Sequence, residues 1–303
     1  MNRNGHTDRD YRKIAIVGTG KVGTAMGYLL KSAGYDIVAV AATSDTSVAS
    51  AITYTGGKGY TDPSKAAAEG ECIFITTTDD VVKPVCDTIT RDGAIGPGKI
   101  VVHMSGAGGL DLLESARTSG AFVASIHPIQ TFATIDSAIE VIPGTSFGIT
   151  AQEEIRDWCF QIVKDLGGIP FLIAEEDKPL YHAAACIASN YLCTLMNIVV
   201  DIYQSIGLSR EESIQAFWPL VLGTIKNIPI HGTAKALTGP IARGDTRTVE
   251  KHAAAFRQEM PDLLGFYTMM GLFTADLAVM KGTISLERAK DIKQLLIGGD
   301  DNE

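Results

Sequence analysis

Cysteine is sparse in this 303-residue sequence, and the five that occur form no C-x-x-C pair and no His–Cys spacing suited to a metal. Cys72, Cys86, Cys159, Cys186 and Cys193 lie in apolar segments, which reads as buried thiols in a reducing cytosol and excludes a disulfide-stapled fold. An excess of positive charge is missing as well. Lys and Arg number 26 against 35 Asp and Glu, a formal net charge of −9. That balance argues against a nucleic-acid surface, although a local Lys or Arg can still hold an anionic small molecule. The polar stretch 1–13 lacks an apolar signal-like core and is expected to be a frayed tail. An unbroken membrane-length run is also absent. The nearest candidate, 183–200, is interrupted by Ser189, Asn190 and Asn197, so no membrane is expected and a helix buried in a core or a dimer is. Repeats and low-complexity tracts are lacking apart from the acidic residues 300–303.

What the sequence does have is a glycine turn set between a strand and a helix. The apolar run 14–17 breaks into Gly18-Thr19-Gly20-Lys21-Val22-Gly23 and then a helical pattern to about Ala33. In a dinucleotide site the first glycine permits the sharp turn and the second lets the backbone approach a pyrophosphate. The third lets the helix pack closely on the strand, while the helix N-terminus offers amide donors to the phosphates. A second strand at 36–40 follows, and here an absence is informative. An NAD site usually carries Asp or Glu near that strand's end, to bind the ribose hydroxyls. The chain instead reads Val40-Ala-Ala-Thr-Ser-Asp45, with Asp45 placed as the N-cap of the next helix. Thr43 and Ser44 could receive a 2′-phosphate, with Lys58 lending charge from the next loop, which favours NADP(H) over NAD(H).

Strand patterns at 72–76, 99–103 and 121–126 alternate with helices, which implies α/β architecture with a parallel, doubly wound Rossmann sheet. A further strand–helix–strand unit spans 147–149, 152–166 and 169–173, while 55–63 reads as a glycine-rich connection. Ligands bind outside the carboxyl ends of such strands. Thr77, Thr78, Asp79, His103, Ser105 and His127 should therefore face the cofactor. Beyond Ala174 strand signals vanish and helices follow at about 178–206, 210–226, 246–258, 261–280 and 286–296. The expected domains are 1–174, dinucleotide-binding, and 175–303, helical.

The helical half holds three polar clusters. At about 100° per residue, His182 and Ser189 share one helix face and Asn190 lies at its edge. Hydride addition to a carbonyl or imine needs a proton donor and groups that orient the substrate, tasks suited to His182 and to Ser189 and Asn190 respectively. Lys178, at the helix start, is expected in solvent. Lys226, read as a helix C-terminus beside Asn227, and Arg243, next to Gly244, could hold a substrate carboxylate. Asp245 is expected to brace that loop.

These residues, with Val102-His-Met-Ser-Gly-Ala107, Ser125-Ile-His-Pro-Ile-Gln-Thr-Phe132, Lys178 to Asn190 and Ala236 to Asp245, resemble the Rossmann-like oxidoreductases that carry a C-terminal helical domain of unknown function. More distantly the layout is similar to pyrroline-5-carboxylate reductase, ketopantoate reductase and 6-phosphogluconate dehydrogenase. The resemblance implies an NADP(H)- or deazaflavin-dependent oxidoreductase and a homodimer formed through the helical domain. It departs from family members at Thr43-Ser-Asp45, where an Arg often stands. The resulting expectation is a cytoplasmic NADP(H)-dependent reductase of a small anionic carbonyl, imine or alcohol. A non-catalytic nucleotide sensor is the alternative from another class.

Overall fold

The computed structural model describes residues 11–298. Its eight strands are β1 (Lys13–Val17), β2 (Asp36–Ala41), β3 (Lys58–Tyr60), β4 (Cys72–Ile75), β5 (Ile100–His103), β6 (Phe122–Pro128), β7 (Ser146–Ala151) and β8 (Ile169–Leu172). They form one sheet in the order β3-β2-β1-β4-β5-β6-β7-β8. The central strands are apolar at consecutive positions because helices cover both faces. Ile14, Ile16, Phe74 and Val102 enter one core, and their neighbours Val17, Ile73, Ile75 and Val101 enter the other. The direction in which strands are added reverses between β1 and β4, and the crevice outside that switch point is where such sheets bind ligands.

Two features depart from expectation. The connection 55–63 contains β3, a three-residue edge strand pairing Lys58–Tyr60 with Ala39–Ala41, too short and glycine-rich to show a period. The strand β7 runs antiparallel to β6, with Pro128 opposite Phe147, so the sheet is parallel except at that pair. The intervening segment does not cross the sheet. Its helix, Ile135–Val141, packs Ala138 into the core that Met26 and Leu30 line, and Gly144, at φ 86°, turns the chain back beside β6.

Strands end at Leu172, as expected, and helices follow. The chain divides into compact units at Leu192, later than the change of pattern at Ala174. The first turns of the helix Lys178–Ser205 belong with the sheet because Lys178 and Tyr181 bond to it. The second unit packs the helices Thr246–Glu259, Pro261–Lys281 and Leu286–Ile297 around Ile241, Val249, Ala275, Ala278 and Ile292, while the helix Arg210–His231 stacks Phe217 on Tyr203. The helix Arg210–His231 runs past Lys226 and ends at Gly232, where φ is 79°, so Lys226 lies within the helix and is exposed.

Two helices, Glu175–Ser205 and Pro261–Lys281, are long and apolar enough to cross a membrane, yet their apolar stretches are only 6% and 17% buried. Of the two burials expected for 183–200, in a core or in a dimer, the described residues do not supply the first. Cys72, Cys86 and Cys159 are buried, but Cys186 is half-buried and Cys193 exposed, contrary to expectation. Tyr11 is buried against Trp158 and Lys13 opens β1, so the expected tail does not extend to them; residues 1–10 and 299–303, with the acidic end, lie outside the described residues.

Candidate nucleotide and catalytic site

The three glycines of the first turn differ sharply in what surrounds them. Gly18 has φ +105°, and a Cβ there would stand 2.8 Å from the Thr76 carbonyl carbon and the Thr77 nitrogen. A Cβ on Gly23 would meet Thr76 Oγ1 at 2.2 Å and the Gly18 oxygen at 2.3 Å, so the helix Lys21–Ser32 rests directly on the end of β4. The Thr76 hydroxyl also donates to the Gly18 carbonyl, which ties the turn to β4. A Cβ on Gly20, the N-cap of that helix, would meet nothing within 4 Å beyond its own turn. Its φ of −71° suits any residue, so the absent side chain answers to open space and not to backbone geometry.

That space is a cleft of about 310 Å³ lined by Val17, Gly18, Thr19, Gly20, Ala41, Ala42, Thr43, Ser47, Thr61, Pro63, Thr77, Val81 and Val85. Apolar walls on one side and a bare glycine at a helix N-terminus on the other fit a nucleotide, base against the walls and phosphates at the amides. Of the residues expected to hold it, Gly18, Thr19, Gly20, Thr43 and Thr77 line the cleft. Gly23 is buried beneath it and Val22 packs into the core, while Lys21 and Thr78 are exposed beside it at helix starts.

The phosphate end needs correction in two places. Ser44, not Asp45, caps the helix Asp45–Thr55, accepting from the Ser47 amide at 3.2 Å, and Ser47 instead of Ser44 lines the cleft beside Thr43. Lys58 opens β3 beside Lys13 and Asp36, at the amino ends of β1 and β2, and donates to Glu69 at 2.9 Å. It therefore does not lend charge to Thr43.

At the carboxyl end of β5, His103 is fully buried and serves its own loop. The Ser105 amide donates to Nδ1 at 3.1 Å, so Nε2 carries the proton and donates to the Gly109 carbonyl at 3.0 Å. Ser105 is equally committed: its hydroxyl donates to Asp79 Oδ2 at 2.8 Å and accepts from the Gly108 amide at 2.9 Å. Neither His103 nor Ser105 keeps a polar group for ribose or phosphate. Both instead shape the loop that carries Gly106, and Asp79 anchors that loop.

Lys178 overturns the expectation of solvent. It is 2% exposed, and Nζ donates to Ser125 Oγ at 2.7 Å and to the Ser105 carbonyl at 3.3 Å. No carboxylate of the described residues pairs with it, and burial brings its pKa down to about 8, with Glu175 and Asp79 opposing that drop. The acidic run 175–177 beside it suggested surface. Those three acids are indeed exposed, with Glu175 accepting from the Leu110 amide at 2.6 Å, and the chain turns in only at Lys178.

One turn further, Tyr181 and His182 meet the ends of β5, β6 and β7. Tyr181 OH lies 2.7 Å from His127 Nδ1, and the His127 and His182 rings lie 5.9 Å apart at 66°. Both imidazoles converge on Gly106, where a Cβ would stand 2.5 Å from His182 Cδ2 and 2.7 Å from His127 Nε2. The structure thus brings His127 and His182 together. Tyr181, Lys178 and Gly106 are the members that sequence reasoning missed. Their signal was the i, i+3, i+4 spacing of Lys178, Tyr181 and His182, which puts three polar groups on one helix face. Ser189 stands about 10 Å further along the axis at 1.5 Å per residue, half-buried, with Asn190 exposed beside it. In the second unit Arg243 is exposed on a 3-10 turn, and Asp245 caps the next helix by accepting from the Thr248 amide at 3.1 Å.

Burial and the Lys178 charge push His103 and His127 each down to about 4. Both are neutral in folded and unfolded chains above pH 6.5. As the pH falls towards 4 the unfolded chain binds protons that the native one refuses, and stability is lost. His103 alone should cost about 3 kcal/mol across that window, read by denaturant unfolding at pH 7 and near pH 4. A flat profile would mean that His103 is not held in the buried, neutral state its contacts describe.

Comparison with known proteins agrees with this geometry. Residues 2–128 match the model of a Rossmann-like domain and residues 145–274 that of a domain of unknown function, DUF2520. No curated protein matches. Among solved structures, a Thermotoga maritima protein is 26% identical, with a TM-score of 0.72 over 88% of this chain and 99% of its own. A candidate NADP oxidoreductase of Bacteroides fragilis is 17% identical, TM-score 0.69, over 88% and 98%. The pyrroline carboxylate reductase of Plasmodium falciparum, solved with NADP bound, is 16% identical, TM-score 0.56, over 93% and 97%. The chain is thus similar to a Rossmann-like domain over its first part and to DUF2520 over much of the rest, and it shares the fold of the NAD(P)-dependent oxidoreductases.

Proposed function

We propose that the protein is an NADP(H)-dependent oxidoreductase acting on a small anionic carbonyl, imine or alcohol. One observation carries the proposal: the bare-glycine cleft and the paired imidazoles over Gly106 both stand at carboxyl ends of strands in one sheet. The residues fit the cofactor, with Gly18, Thr19 and Gly20 at its pyrophosphate and Thr43 and Ser47 at its 2′-phosphate. No carboxylate ends β2 to repel that phosphate. NADPH held there would supply the hydride for a carbonyl or imine carbon. His182 gives a proton to the oxygen or nitrogen as negative charge develops there, and is reprotonated from solvent. Ser189 and Asn190, on the same helix, orient the remoter part of the substrate. The test is NADPH consumption over a panel of 2-oxo acids and cyclic imino acids. Turnover of at least one class is expected; NADPH binding with no turnover on any would favour the nucleotide sensor.

A soluble, cytoplasmic homodimer belongs to the same proposal. Leu220, Phe273 and Met280 are each more than 60% exposed, on helices whose apolar faces the chain leaves uncovered. Sedimentation should find a dimer without detergent; a detergent-dependent monomer that floats with lipid vesicles would contradict it.

A further inference from the structure

We propose that Tyr181 is a positioning residue that locks His127 in one tautomer, making it a neutral Nε2–H donor to the substrate's heteroatom instead of the source of its proton. The proposal rests on the reductase function for what that heteroatom is; the tautomer follows from the protein alone.

The Tyr181 hydroxyl sits between His127 and Gly148. The Gly148 backbone lies against it and favours negative charge on the oxygen. The hydroxyl must then place its own proton, and His127 Nδ1, at 2.7 Å, is the acceptor that the described residues provide. Gly148 is needed for this approach, since a Cβ there would stand 2.5 Å from the Tyr181 oxygen. Burial raises the phenol to about 12, which keeps it a donor through the neutral range. With Nδ1 accepting, the single proton of a neutral imidazole sits on Nε2. That atom lies beside Gly106, facing the His182 ring, and makes no hydrogen bond within the described residues.

The charges around His127 hold it neutral. Lys178 and His182, from the long helix, disfavour a second proton, and burial disfavours it more; Asp79, from the helix Asp79–Arg91, opposes them without prevailing. At pH 7 His127 therefore has no proton to give up as an acid. A fixed neutral N–H can still polarise a carbonyl or imine in a site where water is scarce. The two imidazoles over Gly106 thus divide the work, His182 moving the proton and His127 holding the atom that receives it.

Histidine-selective nitrogen NMR of the full chain tests this, with His127→Gln assigning the His127 resonance among the six histidines. The expected signal is the Nε2–H tautomer, unchanged between pH 5 and 8. In Tyr181→Phe the tautomers should mix, and in Lys178→Met the His127 titration should move up towards the ordinary range. An Nδ1–H or charged His127 at pH 7, or an unaltered tautomer in Tyr181→Phe, overturns the proposal whether or not turnover is ever found. With a turned-over substrate, His127→Gln, which keeps an N–H, should retain about tenfold more kcat than His127→Ala. Equal loss in both would mark His127 as the proton source. Failure of NADPH binding alone would instead strike at the reductase function and leave the tautomer standing.

Discussion

Replacing Gly20 with Asp should leave the melting temperature unchanged or slightly raised while lowering NADPH affinity at least about 100-fold, or about 2.7 kcal/mol. The two effects have opposite signs because they come from different sides of one atom. Gly20 is the N-cap of the helix Lys21–Ser32, extended at φ −71° and ψ −173°, with no side chain to satisfy the amides of the first turn. Asp is among the preferred N-caps, better than Gly by a few tenths of a kcal/mol, and a Cβ here meets nothing within 4 Å. The fold therefore accepts the change. The same carboxylate would take the amides that a pyrophosphate needs and repel its charge. Thermal melts and a nicotinamide fluorescence titration read the two quantities. Unchanged affinity would place the nucleotide elsewhere, and a large fall in melting temperature would mean that the space before Gly20 is filled.

His182→Ala should lower kcat by about 10²-fold or more with NADPH affinity held within about twofold. His182 lies within a long helix, where Ala is the best former, and it is half-buried, so removing the ring costs the fold little. The nucleotide cleft is lined entirely by residues between Val17 and Val85, which leaves binding intact. Loss confined to kcat is the mark of a group used only in the transition state. Unchanged turnover would remove His182 from the mechanism and turn attention to the buried amine of Lys178.

What could be read from the sequence follows how local each signal is. The glycine turn is a local device, and its three positions proved to have three different surroundings. The strand–helix alternation likewise reports burial on two faces, so seven of the eight strands were legible and only the three-residue β3 was not. Reversal of β7 was hidden because a strand's direction depends on where its connection packs, here Ala138 against the helix Lys21–Ser32, and not on its own residues. At the site the same distinction holds. His127 and His182 were visible as polar residues at a strand end and in an apolar helix. Lys178 was not, since a lysine beside three acids at a helix start has the pattern of a solvated residue, and only the ends of β5 and β6 show it buried. His103 carried the opposite illusion: a histidine at a strand end looks available, yet both its nitrogens are spent on Ser105 and Gly109.

The central claim is that the glycine turn holds NADP(H) at the edge of the sheet where the imidazoles stand. Titration of the purified protein with NADPH and with NADH, followed by nicotinamide fluorescence, tests it most directly. The account predicts saturable NADPH binding with NADH about tenfold or more weaker, because no acid ends β2 and Thr43 and Ser47 face the cleft. Binding of neither, or tighter binding of NADH, would contradict it.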